Sequence, residues 1–460
     1  MLQIDHQLTP ADLAPQLARF WELSGKKIRL IDAEYDHSNG SPVFTAAGKY
    51  TTRGWTEWTQ GFEFGSAALQ FDATSDDWHL RYARDNTLEK MAPHVSHFGV
   101  HDHGFNNVST YGNLLRLMKQ GRFDHNEWEQ NFYELALKIS GASQARRWTT
   151  IPEGGFIYSF NGPHSLFVDT IRSCRALAVS HSLGHQYMDE GDKEISLLGR
   201  ILDHARATAT FCVYYGEGRD GYDTQPGRTT HEAVFNTNDG QFRCPNSQQG
   251  FSGFTTWTRG LAWAVVGFPE QLEYLATLDD AELEPFGGRD EIEATFIEAA
   301  RATCDFYINH TATDGIPYWD TGAPNLHRLG DDVLDRPADP YNDHEPVDSS
   351  AAAIACQGLI RFGRYLGDSG ADYTQAGLTV LKTLLAEPYL SSDDSHQGLI
   401  LHSIYHQPNG WDHVPEGSKI ANGESSMWGD YHAREAALLV GKIAAGEDYH
   451  FYDGVEASGK

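Results

Sequence analysis

The side chains best suited to chemistry are concentrated between Gln249 and Trp263, where the sequence reads Gln-Gly-Phe-Ser-Gly-Phe-Thr-Thr-Trp-Thr-Arg-Gly-Leu-Ala-Trp. An indole such as that of Trp257 presents a flat apolar face on which a sugar ring can stack. The guanidinium of Arg259 is a planar fork of donors that matches a carboxylate, and the Gln249 amide can both donate and accept. These groups indicate a pocket for an acidic sugar. The alternative is a buried aromatic cluster in which Arg259 forms an internal ion pair.

Two aspartates lie in surroundings suited to proton transfer. Asp102 follows a histidine-rich segment, and Asp169 lies in the apolar run Phe-Val-Asp-Thr-Ile that opens a helix. Burial raises the pKa of a carboxyl, and a second carboxylate nearby raises it further. One protonated and one ionised carboxyl are the equipment for proton transfer to a sugar, so we expect a protonated Asp169. The alternative for Asp169 is a helix-capping role, in which the field of the helix start lowers the pKa instead.

The histidines of the chain raise the alternative of a metal site. His94, His97, His101 and His103 are close in sequence, but glycines interrupt the segment and make a continuous helix unfavourable. The segment also lacks the carboxylate–histidine signature of zinc proteases. We therefore predict neither a metal nor any other cofactor. His231, alone in Arg-Thr-Thr-His-Glu, is typical of a surface histidine.

Aromatic residues beside glycine recur elsewhere in the chain. The segments are Trp58-Thr-Gln-Gly-Phe62, Tyr318-Trp-Asp-Thr-Gly322 and Met427-Trp-Gly-Asp-Tyr431. Glycine permits turns and the close approach of a ligand. We predict that these segments lie in loops and contribute to a carbohydrate cleft.

Helices must position these groups, because apolar residues recur along the chain at helical spacing. A first helix is predicted from Thr9, where a hydroxyl cap precedes a proline and an acid. The predicted core-facing stripes are Leu13, Leu17, Phe20 and Leu23; Trp128, Phe132, Leu135 and Ile139; Ile195, Leu198, Leu202, Ala205 and Ala209; Ile292, Phe296, Ala300, Cys304 and Tyr307; and Ala351, Ile354, Gly358 and Phe362.

Glycine- and aspartate-rich connectors separate these helices, and period-two alternation is nearly absent. The pattern predicts an all-α toroid of alternating inner and outer helices, with loops at one end building the site. Because no linker divides the sequence, we predict a single catalytic domain over residues 1–460. An α-solenoid is the alternative, but it would show a fixed repeat length that this sequence lacks.

Charge and cysteine usage exclude several classes of function. The 460 residues carry 64 acidic and 35 basic side chains, for a net charge of −29, which repels nucleic acid and anionic membranes. An acidic sugar must therefore be recognised by local groups. The five scattered cysteines lack metal or disulfide-framework spacing, and the pattern predicts buried free thiols. Neither a signal peptide nor an apolar span is apparent, which predicts a cytoplasmic location.

An ordered series of motifs resembles the unsaturated glucuronyl hydrolases, glycoside hydrolase family 88. The series covers most of the chain from about Trp58 onward. Its members are Trp58-Thr-Gln-Gly-Phe62, His101-Asp-His-Gly-Phe105, Gly155-Phe-Ile157 followed by Asp169, Gln249-Gly250, Thr256-Trp-Thr-Arg-Gly-Leu-Ala-Trp263, Trp319-Asp320, Asp348-Ser-Ser-Ala-Ala-Ala353, Tyr405-His406 and Trp428-Gly-Asp-Tyr431.

The resemblance implies an (α/α)6 barrel that removes a terminal Δ4,5-unsaturated uronic acid from lyase-generated oligosaccharides. In that family an acid protonates C4 of the vinyl ether, water adds at C5, and the hemiketal collapses to release the next sugar. By motif position Asp169 is implied as the general acid/base and Asp102 as its partner. The implied substrate-binding residues are Trp58, His101, Phe160, His231, Gln249, Trp257, Arg259, Trp263 and Tyr405.

The chain departs from the family at three places. Phe160 stands where a tryptophan is common, and the loop from Asn325 to Pro346 looks long. The segment from His406 to Gly410 lacks the serine and lysine that read a sulfate in some members, which predicts an unsulfated leaving sugar. The alternatives are a family 105 type unsaturated rhamnogalacturonyl hydrolase, a non-catalytic acidic-sugar-binding toroid and a lyase. The glycan and the oligomeric state, monomer or dimer, stay open.

Overall fold

The computed structural model describes residues 1–54 and 58–453. Within these ranges the helices are, in chain order, α1 (Ala14–Glu34), α2 (Gln60–Thr74), α3 (Asp77–Lys90), α4 (Ala92–Val95), α5 (His103–Asn106), α6 (Asn113–Lys119), α7 (Glu127–Arg146), α8 (Thr170–Ser173), α9 (Arg175–Ser182), α10 (Leu197–Phe211), α11 (Thr258–Leu275), α12 (Asp280–Leu283), α13 (Arg289–His310), α14 (Ser349–Leu366), α15 (Ala371–Leu384) and α16 (Met427–Ala444). A π-helical turn, Val108–Gly112, joins α5 to α6.

These helices form the predicted (α/α)6 barrel. Outer helices α1, α3, α7, α10, α13 and α15 each precede an inner element, which is α2, α5–α6, α8–α9, α11, α14 or α16. The inner helices are buried on nearly every side, whereas the outer helices bury one face. The ring closes where α16 packs against α2 and α1.

Small residues set the spacing between inner helices. At Gly358 of α14 an added Cβ would lie 2.4 Å from the carbonyl oxygen of Val265 on α11. Only glycine fits at this separation, because any side chain would push the two helices apart. The small-residue stripe predicted on α14 is therefore confirmed as a close helix–helix contact.

Most of the predicted outer-helix stripes are confirmed. The apolar positions of α1 and α13 are buried, as are those of α10 from Leu198 to Ala209. The chain entering α1 is capped at Thr9, whose backbone N–H donates to the carboxylate of Asp12 over 2.9 Å. Ile195 lies on a strand rather than on α10.

The stripe predicted to face the core from α7 is wrong. Trp128, Leu135 and Ile139 are 64%, 56% and 38% exposed, while Tyr133 and Leu137 on another face are buried. The buried face carries small residues that let α7 approach α9 closely. Shape matching with α9 thus outweighs the extra apolar area on the other face.

Nine short strands lie in the connections of the described residues. They are β1 (Phe44–Ala46), β2 (Lys49–Thr51), β3 (Trp148–Ile151), β4 (Gly154–Ile157), β5 (Ser165–Phe167), β6 (Tyr187–Asp189), β7 (Lys193–Ile195), β8 (Glu232–Phe235) and β9 (Phe242–Asn246). All pairs are antiparallel, and β5, β8 and β9 form one three-stranded sheet. Phe167 pairs with Glu232 in that sheet, which brings position 169 and position 231 side by side.

A buried ion network ties the inner helices together at the centre of the barrel. The carboxylate of Glu435 on α16 accepts from Arg172 over 2.6 Å and from Gln357 on α14 over 2.9 Å, and Arg175 lies 3.4 Å away. Burial raises the pKa of Glu435, but these two arginines outweigh it and hold the pKa well below the usual range. Glu435 therefore stays ionised as the common partner of residues on helices α8, α9 and α14.

The cysteines are unpaired, and the helices are not of the membrane-spanning kind within the described residues. All five cysteines are free thiols, and Cys174, Cys212, Cys304 and Cys356 are buried, as predicted. Across the described part of the chain, no helix combines the length and apolarity needed to cross a bilayer.

Candidate active site

The candidate site lies where the inner helices begin. Trp58 precedes α2, Asp102 precedes α5, Asp169 precedes α8, Trp257 precedes α11 and Asp348 precedes α14. Because the chain enters each inner helix from an outer one, the N-terminal ends of the inner helices gather at one end of the barrel. Helix N-termini carry unpaired N–H groups and partial positive charge, so this end favours an anionic ligand.

A cavity of about 530 Å³ opens at this end. Its volume is in the range of small-molecule sites. The predicted residues that line it are Trp58, His101, Asp102, Phe160, Asp169, Gln249, Trp257, Arg259, Trp263 and Tyr405. His231 is the one predicted site residue outside this lining.

His101 bridges the two carboxyls on the cavity floor. Its Nε2 lies 3.0 Å from Oδ2 of Asp169 and 3.7 Å from Oδ1 of Asp102. Burial lowers the pKa of His101, but the two carboxyls outweigh that effect and raise it. The three residues therefore form one coupled proton-holding unit.

His231 lies behind Asp169 and is 1% exposed, so the surface interpretation of this residue is wrong. Its Nδ1 accepts the backbone N–H groups of Gln248 and Gln249 over 3.0 and 3.2 Å. The ring proton is therefore assigned to Nε2, which lies 3.6 Å from Oδ1 of Asp169. His231 orients and stabilises the Asp169 carboxylate instead of contacting the cavity.

The two aspartates have opposite pKa shifts. Burial raises the pKa of Asp102, and the nearby charge of Asp169 raises it further. Burial also acts to raise the pKa of Asp169, but the hydrogen bond from His101 and the nearby ring of His231 outweigh it and lower the pKa below the usual range. The expectation of a protonated Asp169 is thus wrong for the ligand-free protein. His101 and His231 together favour the ionised form of Asp169, whereas the surroundings of Asp102 favour its protonated form.

Arg259 lies in the cavity wall, but its terminal nitrogens already have partners. Nη1 lies 3.2 Å from Asp348 and also donates to the Ile404 carbonyl, and Nη2 donates to Gln249 and to the Tyr405 carbonyl, each over 2.7 Å. The internal ion pair weighed as the alternative is therefore present. Because Oε1 of Gln249 accepts from Arg259, the amide N–H groups of Gln249 remain to donate to a ligand.

Aromatic rings form the walls. The rings of Trp263 and Phe105 lie 4.9 Å apart, and Trp58 stacks on Trp428 at 5.1 Å. Phe160 is 65% exposed at the mouth. Trp428 is fully buried behind Trp58, at the start of α16. The segment from Met427 is thus helical and supports the wall, which corrects its prediction as a loop.

Several lining residues had no predicted binding role. Arg53, His97, Phe167, His406 and Trp411 all face the cavity. The guanidinium of Arg53 lies 3.8 Å above the Trp411 ring. A tryptophan in a glycine-rich connector was a usable signal for Trp411, but pairing it with Arg53 requires the fold.

Of the four histidines considered as metal ligands, His101 belongs to the residue cluster that could hold an ion. His94 and His103 hydrogen-bond to protein side chains. Among residues 1–54 and 58–453, His101, Asp102 and Asp169 form the cluster that could hold an ion, because their ligand atoms lie within 4.8 Å of one another. The absence of a metal requirement stays a prediction, which activity after treatment with a chelator would check.

The chain is similar in sequence to known hydrolases. No family model matches the chain. The unsaturated glucuronyl hydrolase of Bacillus sp. strain GL1 is 24% identical over 421 residues, which cover 88% of this chain and 92% of that protein. The unsaturated chondroitin disaccharide hydrolase of Streptococcus pneumoniae is 23% identical over 407 residues, with 83% and 81% covered.

Solved structures share the fold. The crystal structure of the unsaturated glucuronyl hydrolase from Bacillus sp. GL1 matches with a TM-score of 0.69 at 20% identity, over 94% of this chain and 99% of that one. An unsaturated glucuronyl hydrolase specific for heparin matches with a TM-score of 0.70 at 19% identity, over 95% and 99%. The resemblance drawn from the motifs and the barrel fold are both confirmed.

Proposed function

We infer that this chain, which resembles the unsaturated glucuronyl hydrolases in sequence and shares their fold, is a glycoside hydrolase that removes a terminal Δ4,5-unsaturated uronic acid from oligosaccharides. One observation carries the proposal. Asp102 and Asp169 lie on either side of His101 at the floor of an aromatic cavity, with pKa values shifted in opposite directions. Oppositely shifted carboxyls supply the acid and the base that hydration of a double bond requires.

We propose that the reaction begins with protonation of C4 of the vinyl ether, whose π electrons form the new C–H bond. Water then bonds to C5 and gives up a proton to the carboxyl pair. The hemiketal at C5 opens to a ketone as the bond between C5 and the ring oxygen breaks, which leaves a hemiacetal at C1. The hemiacetal then collapses to an aldehyde, and the glycosidic oxygen takes up the released proton and leaves with the next sugar. Asp169 is proposed as the general acid/base and Asp102 as its partner.

Binding of the substrate reconciles this role with an ionised Asp169. The uronate brings a negative charge into a buried site, and a nearby negative charge raises the pKa of a carboxyl. Asp102, whose pKa is raised, can share a proton with Asp169, because ligand atoms of His101, Asp102 and Asp169 all lie within 4.8 Å of one another. Proton transfer through a positioned carboxyl contributes about 10²- to 10⁴-fold to a rate.

Local groups support binding of an acidic sugar despite the overall charge. The Gln249 amide, Arg53 and the N-terminal ends of the inner helices supply donors and positive charge, and Trp257 and Trp263 supply apolar surface. Arg259 contributes its charge and orients Gln249, which replaces the direct clamp expected from the sequence.

Unsaturated disaccharides test the proposed function. Turnover removes the conjugated double bond, so we expect ultraviolet absorbance to fall when the protein is incubated with chondroitin-, heparin-, gellan-, glucuronan- or ulvan-derived substrates. Absorbance that persists across this panel would contradict the proposal and favour a non-catalytic sugar-binding toroid. Cleavage of a rhamnose-linked substrate alone would favour the rhamnogalacturonyl type, and a rise in absorbance on intact polysaccharide would indicate a lyase.

We also propose that residues 1–460 form a single catalytic domain.

The buried free thiols are typical of a reducing compartment, which supports the proposed cytoplasmic location.

A further inference from the structure

A second cavity, of about 460 Å³, lies beside the first. Residues from three connectors line it, among them Phe251, Trp319, Arg328, Gln407 and Lys419. The roles proposed above use none of these residues. Most of its lining comes from the loop after α13, which the sequence marked as long, and from the segment that follows His406.

The two cavities share a wall. Gln249 lines the first cavity and Phe251 the second, and His406 and Gln407 divide in the same way. Trp257 of the first cavity and Trp319 of the second belong to one apolar cluster, with Ala323, Ile404 and Ala421. An oligosaccharide that extends out of the first cavity past Gln249 and His406 would therefore enter the second cavity directly.

The second cavity is built from ordered side chains. The buried carboxylate of Glu345 accepts the indole N–H of Trp319 over 2.8 Å and the backbone N–H of Asn325 over 2.6 Å. Asn342 accepts the backbone N–H groups of His344 and Glu345 over 2.8 and 2.9 Å. The long loop thus has a defined shape before any ligand arrives, which lowers the entropic cost of binding.

Its exposed groups suit a charged sugar. The ring of Phe251 is 48% exposed and can stack on a pyranose face. Arg328 is exposed, and no acidic side chain of residues 1–54 or 58–453 forms an ion pair with it. Lys419 pairs with Asp343 at 2.7 Å, but both are more than half exposed, so this pair is weak and open to exchange. An uncommitted guanidinium favours an anionic ligand in a chain whose net charge is −29.

We propose that this cavity is a distal subsite that binds an anionic sugar of the leaving saccharide, beyond the disaccharide held in the first cavity. The inference rests on the proposed function. Phe251 stacks on the sugar, and Arg328 and Lys419 bind its carboxylate or sulfate. Discrimination by charge thus comes from Arg328 of the long loop and from Lys419, and not from the segment of His406 to Gly410, whose composition predicted an unsulfated partner.

Substrate length and charge test the subsite. We expect Arg328→Ala to lower kcat/KM for an unsaturated tetrasaccharide with a sulfated or carboxylated third or fourth sugar by about tenfold, since one charge-assisted hydrogen bond is lost. The neutral-tailed tetrasaccharide and the disaccharide should keep wild-type kcat/KM. Phe251→Ala should lower kcat/KM for every tetrasaccharide and spare the disaccharide. Comparing sulfated with carboxylated tails identifies which anion is bound.

Two control variants show whether losing any exposed charge or any exposed aromatic ring lowers kcat/KM. Arg81→Ala removes an exposed charge, and Trp128→Ala removes an exposed aromatic ring, each on an outer helix and outside both cavities. Equal losses on disaccharide and tetrasaccharide, or no loss with Arg328→Ala, would overturn the subsite. Wild-type protein that turns over no substrate would contradict the proposed function instead. The subsite is then tested by calorimetric binding of the same tetrasaccharides to wild type and Arg328→Ala, where unchanged affinity overturns it.

Discussion

The chemistry of Asp169 is set by two histidines that are distant in sequence. The apolar run around Asp169 correctly indicated a buried carboxyl, and the structure places it 3.0 Å from His101 and 3.6 Å from His231. The protonation state was not predictable, because it depends on donors brought in by other connectors. The hydrogen-bond partners of Arg259 were not predictable for the same reason. Its place in the cavity was predicted, but its acceptors include residues 348, 404 and 405, which are distant in sequence.

His231→Ala should shift the pH dependence of the reaction. The hydrogen bond from His101 and the nearby ring of His231 lower the pKa of Asp169, so removing His231 raises it. Protonation of Asp169 in the free protein then occurs at higher pH, and the acid limb of kcat/KM moves upward. A pH profile of kcat/KM reports groups of the free enzyme and measures this directly. His6→Ala, at an exposed position, is the control, and an unmoved acid limb in His231→Ala would refute the assignment.

Among the secondary-structure elements, those with one dominant apolar face were predictable from the sequence. The stripes of α1 and α13 are buried because each of these outer helices has a single face that can contact the core, whereas α14 is buried on nearly every side. Helix α7 has two apolar faces, and the face with the smaller residues is the one that packs against α9. The sheet of β5, β8 and β9 was not predictable, since its strands are three to five residues long and helices α8, α9 and α10 separate β5 from β8.

Two leucines on α7 test which face is buried. Leu137 is 1% exposed and Leu135 is 56% exposed, so the pair compares the same substitution at two positions of one helix. Leu137→Ala should lower the free energy of unfolding by about 2–5 kcal/mol, because it removes buried methyl groups and leaves a cavity. Leu135→Ala should change it by no more than about 0.5 kcal/mol. Denaturant unfolding measures both values, and equal losses would show that both faces are buried.

For the whole molecule, two opposing electrostatic features act on an anionic substrate. The net charge of −29 repels it at long range, whereas the gathered helix N-termini and Arg53 attract it within the cavity. Salt screens the long-range repulsion between exposed charges more than it screens contacts in a buried site. The net charge could be calculated from the composition. The common direction of the inner helices could not, because it depends on closure of the barrel.

Raising the ionic strength should therefore increase kcat/KM for the unsaturated disaccharide. At about 0.15 M salt the Debye length is about 8 Å, so repulsion from distant acids is largely removed while the bound substrate keeps its contacts. The measurement is kcat/KM from about 0.01 to 0.15 M sodium chloride, with a neutral sugar added at matched osmolality as the control. A steep fall with salt would indicate that attraction at long range dominates and would contradict this view of the charge distribution.

The most direct test of the account is the rate of double-bond loss in Asp169→Asn. Asparagine keeps the size of the side chain but cannot exchange a proton, so the rate should fall by at least about 100-fold while disaccharide binding persists. Asp85→Asn, at an exposed position on outer helix α3, should keep the wild-type rate. An Asp169→Asn protein that consumes the unsaturated disaccharide at the wild-type rate would contradict the proposed chemistry.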